Sequence, residues 1–246
     1  MIKDNNRILY LDVARGIAMV CIVLGHLGIS QINSVVYLFH LPSFYFISGY
    51  FLNRTDSVSN VIKKNINKLL KPYYVTCAVI CLVAMLLAFL KKENVFDQLI
   101  KWGYASLYAA GDSWTTPFYI KGIGALWFLW ASFIGITILK LLNEVNKYIR
   151  FFTVMLCFSI SVLTWKIIWL PLSVQAGLCG LLFMYIGYLY RSYGSKLLKV
   201  NRLLYFLILL SLIYIYLWCI INFKAFWLVH CQIAHIPVDV LGSMGG

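Results

Sequence analysis

The sequence predicts an all-α fold, a polytopic bundle of transmembrane helices, on three observations. The chain of 246 residues is 62% hydrophobic and only 12% charged, where a soluble domain has about a quarter of its residues charged. Its mean hydropathy is +0.84. Its apolar residues fall in runs of about 18–22 along the whole length, enough to cross ~30 Å of hydrocarbon. One membrane domain is expected over 1–246, with no soluble domain, repeat or low-complexity tract.

Seven spans are read near 8–29, 35–52, 73–90, 122–142, 151–170, 173–190 and 203–221, and an eighth begins at about 226. The first carries Asp12 and Arg15 in its body and lacks a small-residue cleavage site, so it reads as a retained span and not a signal peptide. The second contains Pro42, which removes a backbone donor and frees carbonyls that can line a cavity. A lysine-rich loop over 54–71 leads into the third. The stretch 91–121 mixes charges with Trp102, Tyr104, Tyr108, Trp114 and Tyr119, a composition suited to a membrane surface. It is placed outside, partly re-entrant or lying on the bilayer. The last segment ends Ser243-Met244-Gly245-Gly246 without a polar tail, and the domain is expected to be incomplete at that end.

The net charge of +13 is arranged in alternate loops. Lys3 and Arg7, then Arg54, Lys63, Lys64, Lys68 and Lys71, then Lys140, Lys147 and Arg150, then Arg191, Lys196, Lys199 and Arg202 share one side. The positive-inside rule makes that side cytoplasmic. The expectation is a multi-pass inner or plasma membrane protein with a cytoplasmic amino terminus, and nucleic acid is excluded as a partner. The seven cysteines lack Cys-x-x-Cys spacing and read as small buried hydrophobes. No metal motif, P-loop or dinucleotide fingerprint is present.

Chemistry is expected in the first two spans. Arg15 and His26 are eleven residues apart, about three helical turns, so they leave the same stripe, with Asp12 close to it. A charge near the centre of a span costs about 2.5–3.5 kcal/mol and marks a functional candidate. Arginine keeps its charge, and Asp12 at i, i+3 is the expected partner. A purely structural Arg–Asp pair fits the composition equally. His26 ends a span on the outer side and His40 begins the next, which puts both at similar depth and suggests a proton-handling pocket. Ser48 and Gly49 allow close approach of a helix backbone or a ligand.

These residues resemble the acyltransferase-3 family of membrane acyltransferases. Arg15, ten residues, then His26 matches its Arg-x10-His signature. Leu11-Asp12-Val13-Ala14-Arg15-Gly16-Ile17-Ala18 is similar to its opening, and Phe39-His40-Leu41-Pro42 with Phe46-Ile47-Ser48-Gly49-Tyr50-Phe51 to its second-span motif. The stretch from Lys63 to Tyr73 resembles the basic loop before the third span, with lysine where the family often has arginine. Leu126-Trp127-Phe128-Leu129 resembles a later motif. The version with His40 looks closest to the sugar O-acetylase branch. The resemblance covers 7–73 and 122–130. Family members usually have about ten spans, two or more beyond those counted here.

The resemblance implies acyl transfer from acyl-coenzyme A, a donor substrate and not a resident cofactor, to a hydroxyl of an envelope carbohydrate or its lipid-linked precursor. His26 is then the general base, worth about 10²–10⁴-fold. Arg15 holds a donor phosphate, the pantetheine amide or the thioester oxygen, with Asp12 fixing it, and His40 assists the base, binds sugar or relays the proton. Direct attack is expected, since no Gly-x-Ser-x-Gly is present and Cys21 points about 140° away from His26. Arg54, Lys64, Lys68 and Lys71 read either as a docking surface for the coenzyme A phosphates or as an interfacial helix on anionic lipid. Trp127 reads either as an acceptor-stacking residue or as a lipid-facing belt residue. Ser48 is a candidate at the substrate. A transporter or polysaccharide export protein is the rival reading, with Lys166 the only other deep ionisable residue, and a truncated inactive acyltransferase is a third. His230, His235 and Asp239 form a late cluster with no role assigned.

Overall fold

The computed structural model describes residues 8–115, 118–165, 167–197, 202–222, 228–231 and 236–245. Among them the chain is helical, with no strand beyond a bridge between Trp114 and Ile120. The helices are α1 (Leu9–Gly25), α2 (Ser30–Tyr50), α3 (Val58–Asn65), α4 (Lys71–Leu90), α5 (Val95–Tyr108), α6 (Trp127–Leu142), α7 (Lys147–Thr164), α8 (Val174–Leu197), α9 (Arg202–Asn222) and α10 (Ile236–Gly245). Several begin where the sequence supplies an acceptor for orphan amides. Ser57 accepts from the Asn60 amide, Asn94 from those of Phe96 and Asp97, and Asn146 from that of Tyr148, each at an N-cap.

Four helical stretches are long and apolar enough to cross a membrane: Val58–Leu90, Gly124–Leu142, Lys147–Thr164 and Pro171–Gly194, with a shorter apolar one at Phe206–Ile221. These match the third to seventh expected spans, and the protein is a helical membrane bundle. The first two expected spans do not meet that criterion. α1 has 17 residues, about 25 Å of helix, and α2 carries Gln31, Asn33 and His40 among its apolar residues.

The basic stretch 54–71, read as a connecting loop or as an interfacial helix, is mostly helix. α3 passes through one π-helical turn, Ile66–Leu70, directly into α4. The resulting 33-residue rod is about 50 Å long, well over the hydrocarbon thickness. Its lysine-bearing end therefore extends past the apolar layer.

Two compact units divide the chain. One comprises Met1–Phe51, Phe183–Leu228 and Ile233–Gly246, the other Leu52–Leu182 and Val229–Gln232. In the first, α1 and α2 form an antiparallel pair. α2 also meets the later part of α8 at two glycines: a Cβ on Gly49 would overlap the Met184 backbone, and one on Gly187 the Phe46 backbone. Small residues at such a crossing let the helix axes approach closely. α9 adds a hydrogen bond from the Tyr216 hydroxyl to the Val35 carbonyl at 3.1 Å.

In the second unit Tyr73 is fully buried, its hydroxyl donating to the Ser106 carbonyl at 2.6 Å. Lys140 is buried at 1% exposure, its ammonium donating to the Arg54 carbonyl at 2.9 Å. A buried charge needs such a partner.

Candidate functional site

α1 turns a narrow stripe inward: Leu11, Ala18, Cys21 and Gly25 are its buried residues. Taking 100° per residue, Arg15 and His26 lie within about 20° of each other, on the flank of that stripe, and Asp12 lies about 60° further round. The shared stripe expected for Arg15 and His26 is present. The stripe is not enclosed within this unit: Arg15 is half-buried, and Asp12 and His26 are exposed. The expected Asp12–Arg15 ion pair does not form either. The Arg15 guanidinium sits 4.9 Å from the centre of the Phe51 ring, a cation–π contact. The reason is angular, since Asp12 points toward the exposed side while Phe51 closes the end of α2.

Two cross-helix contacts fix the α1–α2 register. Tyr37 reaches Gly25, and Phe51 reaches Arg15. In this antiparallel pairing His26 and His40 fall at one level, as the short loop between the spans predicts. Their hydrogen bonds are also alike. His26 Nδ1 is 2.8 Å from the Ile22 carbonyl, and buried His40 makes the same contact to the carbonyl of Val36, four residues back. A carbonyl only accepts, so Nδ1 carries the proton in both rings, and Nε2 is the basic nitrogen.

Tyr37 was missed by sequence reasoning. Its hydroxyl donates to the Gly25 carbonyl at 2.8 Å, satisfying an acceptor at the end of α1. Its ring lies 5.4 Å from that of His40. It thus ties the α1 terminus beside His26 to the helix that holds His40. The signal was its place one turn before His40, but an aromatic in an apolar run reads as ordinary packing.

Arg191 was counted only as a topological charge. It donates to the Tyr50 carbonyl at 3.0 Å, satisfying a carbonyl at the end of α2. Arg15 and Arg191 therefore both stand at the carboxyl end of α2. Arg15 and His26 are eleven residues apart on one helix, about 16 Å in rise. The unit thus has two chemically distinct ends, one with imidazoles and a phenol, the other with guanidinium groups.

The remaining predicted residues are placed as follows. Ser48 is half-buried and donates to the Phe44 carbonyl at 2.8 Å; Gly49 beside it makes the close crossing. Lys64, Lys68 and Lys71 are exposed, and Lys64 pairs with Asp56 at 2.6 Å. They lie on the rod α3–α4, so an interfacial helix describes them better than a loop. The π turn lies between Lys64 and Lys71, which removes their simple α-helical spacing. Arg54 is half-buried, its carbonyl held by Lys140 and Asn143. Trp127 is buried at 6% and packs beside Gly111, which excludes the lipid-facing belt reading. A cavity of about 230 Å³ in the second unit is lined by Asp97, Ile100, Lys101, Tyr104, Tyr119 and Lys121; none of these was a candidate. Lys166 lies outside the described residues. Of the late cluster, His230 belongs to the second unit and Asp239 to the first, and His235 is not among the described residues.

Comparison with known proteins bears on this geometry. The family model described as an acyltransferase domain (acyltransferase-3) matches residues 8–246, well past the 122–130 motif. A protein called Nodulation protein NolL from Mesorhizobium japonicum is 27% identical over 158 residues, 58% of this chain and 38% of the relative. A protein of the same name from Sinorhizobium fredii is 29% identical over 157 residues, again 58% and 38%. The aligned region is thus well under half the length of these relatives. No solved structure matches.

Proposed function

The chain belongs to the acyltransferase-3 family, and from that membership we propose that it is a membrane O-acyltransferase. The donor is acetyl-coenzyme A and the acceptor a hydroxyl of a cell-envelope carbohydrate or its lipid-linked precursor. His26 Nε2 takes the proton from the attacking hydroxyl as its oxygen bonds to the thioester carbonyl carbon. The carbon–sulfur bond then breaks, coenzyme A leaves as the thiolate, and the proton on His26 returns to it.

The observation that carries this reading is the tautomer set by the Ile22 carbonyl. It holds the His26 lone pair on Nε2, the nitrogen that points away from its own helix backbone. His40, at the same level with the same tautomer, serves as the second proton carrier. Arg15 and Arg191, at the other end of α2, supply positive charge for the donor phosphates. The exposed lysines of the α3–α4 rod are assigned, by themselves, a general electrostatic attraction for the anionic donor. The amino terminus lies in the cytoplasm, so donor enters from that side and acceptor from the outer one.

The test uses the full chain in lipid nanodiscs with radiolabelled acetyl-coenzyme A and envelope glycan. The wild type transfers label to glycan, and His26→Ala does not, although it inserts and melts like the parent. Equal transfer by both proteins refutes the assignment of His26.

A further inference from the structure

The cavity of about 230 Å³ in the unit formed by Leu52–Leu182 and Val229–Gln232 has two walls, each built by its own periodicity. Asp97, Ile100, Lys101 and Tyr104 follow the i, i+3, i+4, i+7 spacing of one helical face on α5. Tyr119 and Lys121 flank Ile120, whose side chain is fully buried and whose backbone exchanges hydrogen bonds of 2.8 and 2.7 Å with Trp114. Neighbours in such an extended segment point the opposite way from the residue between them.

The charges on these walls are unspent. Elsewhere in the unit His230 meets Asp112 at 3.1 Å, and Lys140 donates to the Arg54 carbonyl. Asp97 and Lys101, one turn apart and both exposed, form no ion pair with each other or with any described residue. Lys121 is half-buried, its ammonium 3.7 Å from the centre of the Trp102 ring, a cation–π contact that holds it in place.

The setting is a bilayer surface. α5 has 14 residues, about 21 Å, too short to cross ~30 Å of hydrocarbon, and only Lys91–Asn94 separate it from the span that ends at Leu90. Phe96, Leu99, Ile100 and Leu107 are 41–64% exposed and fall within about 100° of one another around α5, the apolar stripe of an interfacial helix. Asp97, Lys101 and Tyr104 occupy the adjoining flank, with Ile100 on the border between the two.

This pattern selects a ligand that carries both signs of charge and an apolar extension. A bare phosphate satisfies the lysines but is repelled by Asp97, a metal cation does the reverse, and a neutral polyol leaves all three charges uncompensated. A phosphate joined to an ammonium satisfies all of them, and the phenols of Tyr104 and Tyr119 add donors for its oxygens. The volume lies below the ~300–1,000 Å³ of drug-sized sites, which suits a small group. We propose that this cavity binds the zwitterionic headgroup of a phospholipid, with phosphate at Lys101 and Lys121, ammonium at Asp97, and acyl chains along the stripe of α5. A primary ammonium is preferred over a quaternary one, because a carboxylate needs an N–H donor. The site is independent of the acyl-transfer reading.

The test is native mass spectrometry of the full chain in detergent, titrated with phosphatidylethanolamine, phosphatidylcholine and phosphatidylglycerol. The wild type should retain phosphatidylethanolamine most tightly. Asp97→Asn should weaken that lipid by about two- to fivefold, the range of an exposed ion pair, and leave phosphatidylglycerol no weaker. Lys101→Gln should weaken all three. Lys91→Gln, outside the cavity, should change none, and melting curves confirm that each variant folds. Free O-phosphoethanolamine should displace the lipid better than inorganic phosphate. Retention of either other lipid as tightly as phosphatidylethanolamine, an unchanged order in Asp97→Asn, or equal displacement by inorganic phosphate overturns the headgroup site.

Discussion

Tyr37 and Gly25 join the first two helices by one hydrogen bond of 2.8 Å, from the phenol to the carbonyl at the end of α1. The same ring lies against His40, so this contact positions both imidazoles. Tyr37→Phe removes the bond and keeps the ring. The expected loss of stability is about 0.5–1.5 kcal/mol, read as a lower melting temperature. The turnover number should fall several-fold with little change in KM. A variant with wild-type turnover would show that Tyr37 has no positioning role.

The two histidines differ in surroundings, and their variants should differ in kind. His26→Ala should lower acetyl transfer by about 10²–10⁴-fold, the usual worth of a general base, with normal melting, because the side chain is exposed. His40 is buried, so His40→Ala should lower both transfer and melting temperature. Kinetics and melting curves on the same preparations separate the two effects.

The lysines should affect the donor only. Lys64, Lys68 and Lys71 are exposed, and an exposed ion pair such as Lys64 with Asp56 stabilises by at most about 1 kcal/mol. Changing all three to glutamate should leave the melting temperature nearly unchanged and raise the KM for acetyl-coenzyme A. The difference from wild type should shrink as salt is added, since exposed charges are screened. A salt-independent KM in the wild type would argue against an electrostatic role.

The crossing of α2 with α8 sets a steric limit. Alanine is the better helix former by about 1 kcal/mol, yet at Gly49 or Gly187 its methyl would meet backbone across the interface. Gly49→Ala and Gly187→Ala should each destabilise by about 1–3 kcal/mol, the cost of overpacking. Gly16, where an added methyl would meet nothing within 4 Å, is the control: Gly16→Ala should be neutral or stabilising.

Much of the fold could be read from the chain because span length and apolar runs follow from bilayer thickness. The level shared by His26 and His40 could be read too, since a short loop leaves antiparallel neighbours little choice. Distant pairings could not. Asp112 and His230 lie far apart in the chain with no periodic pattern between them, and the Arg15 partner depended on which residue closes α2. Tyr37 and Arg191 went unseen for a simpler reason: their roles rest on backbone carbonyls, which every residue has. The helical spacing of Lys64, Lys68 and Lys71 already allowed an interfacial helix within 54–71; what it did not reveal is the π turn that carries this helix directly into α4.

The π-helical turn at Ile66–Leu70 acts as one surplus residue in an otherwise regular rod. Everything after it is rotated by about 100° relative to an uninterrupted helix. The bearing of the charged lower segment and the bearing of the greasy upper segment are thereby uncoupled. Evolution can turn either one against its own surroundings by gaining or losing a single position here, without touching a side chain elsewhere on the rod.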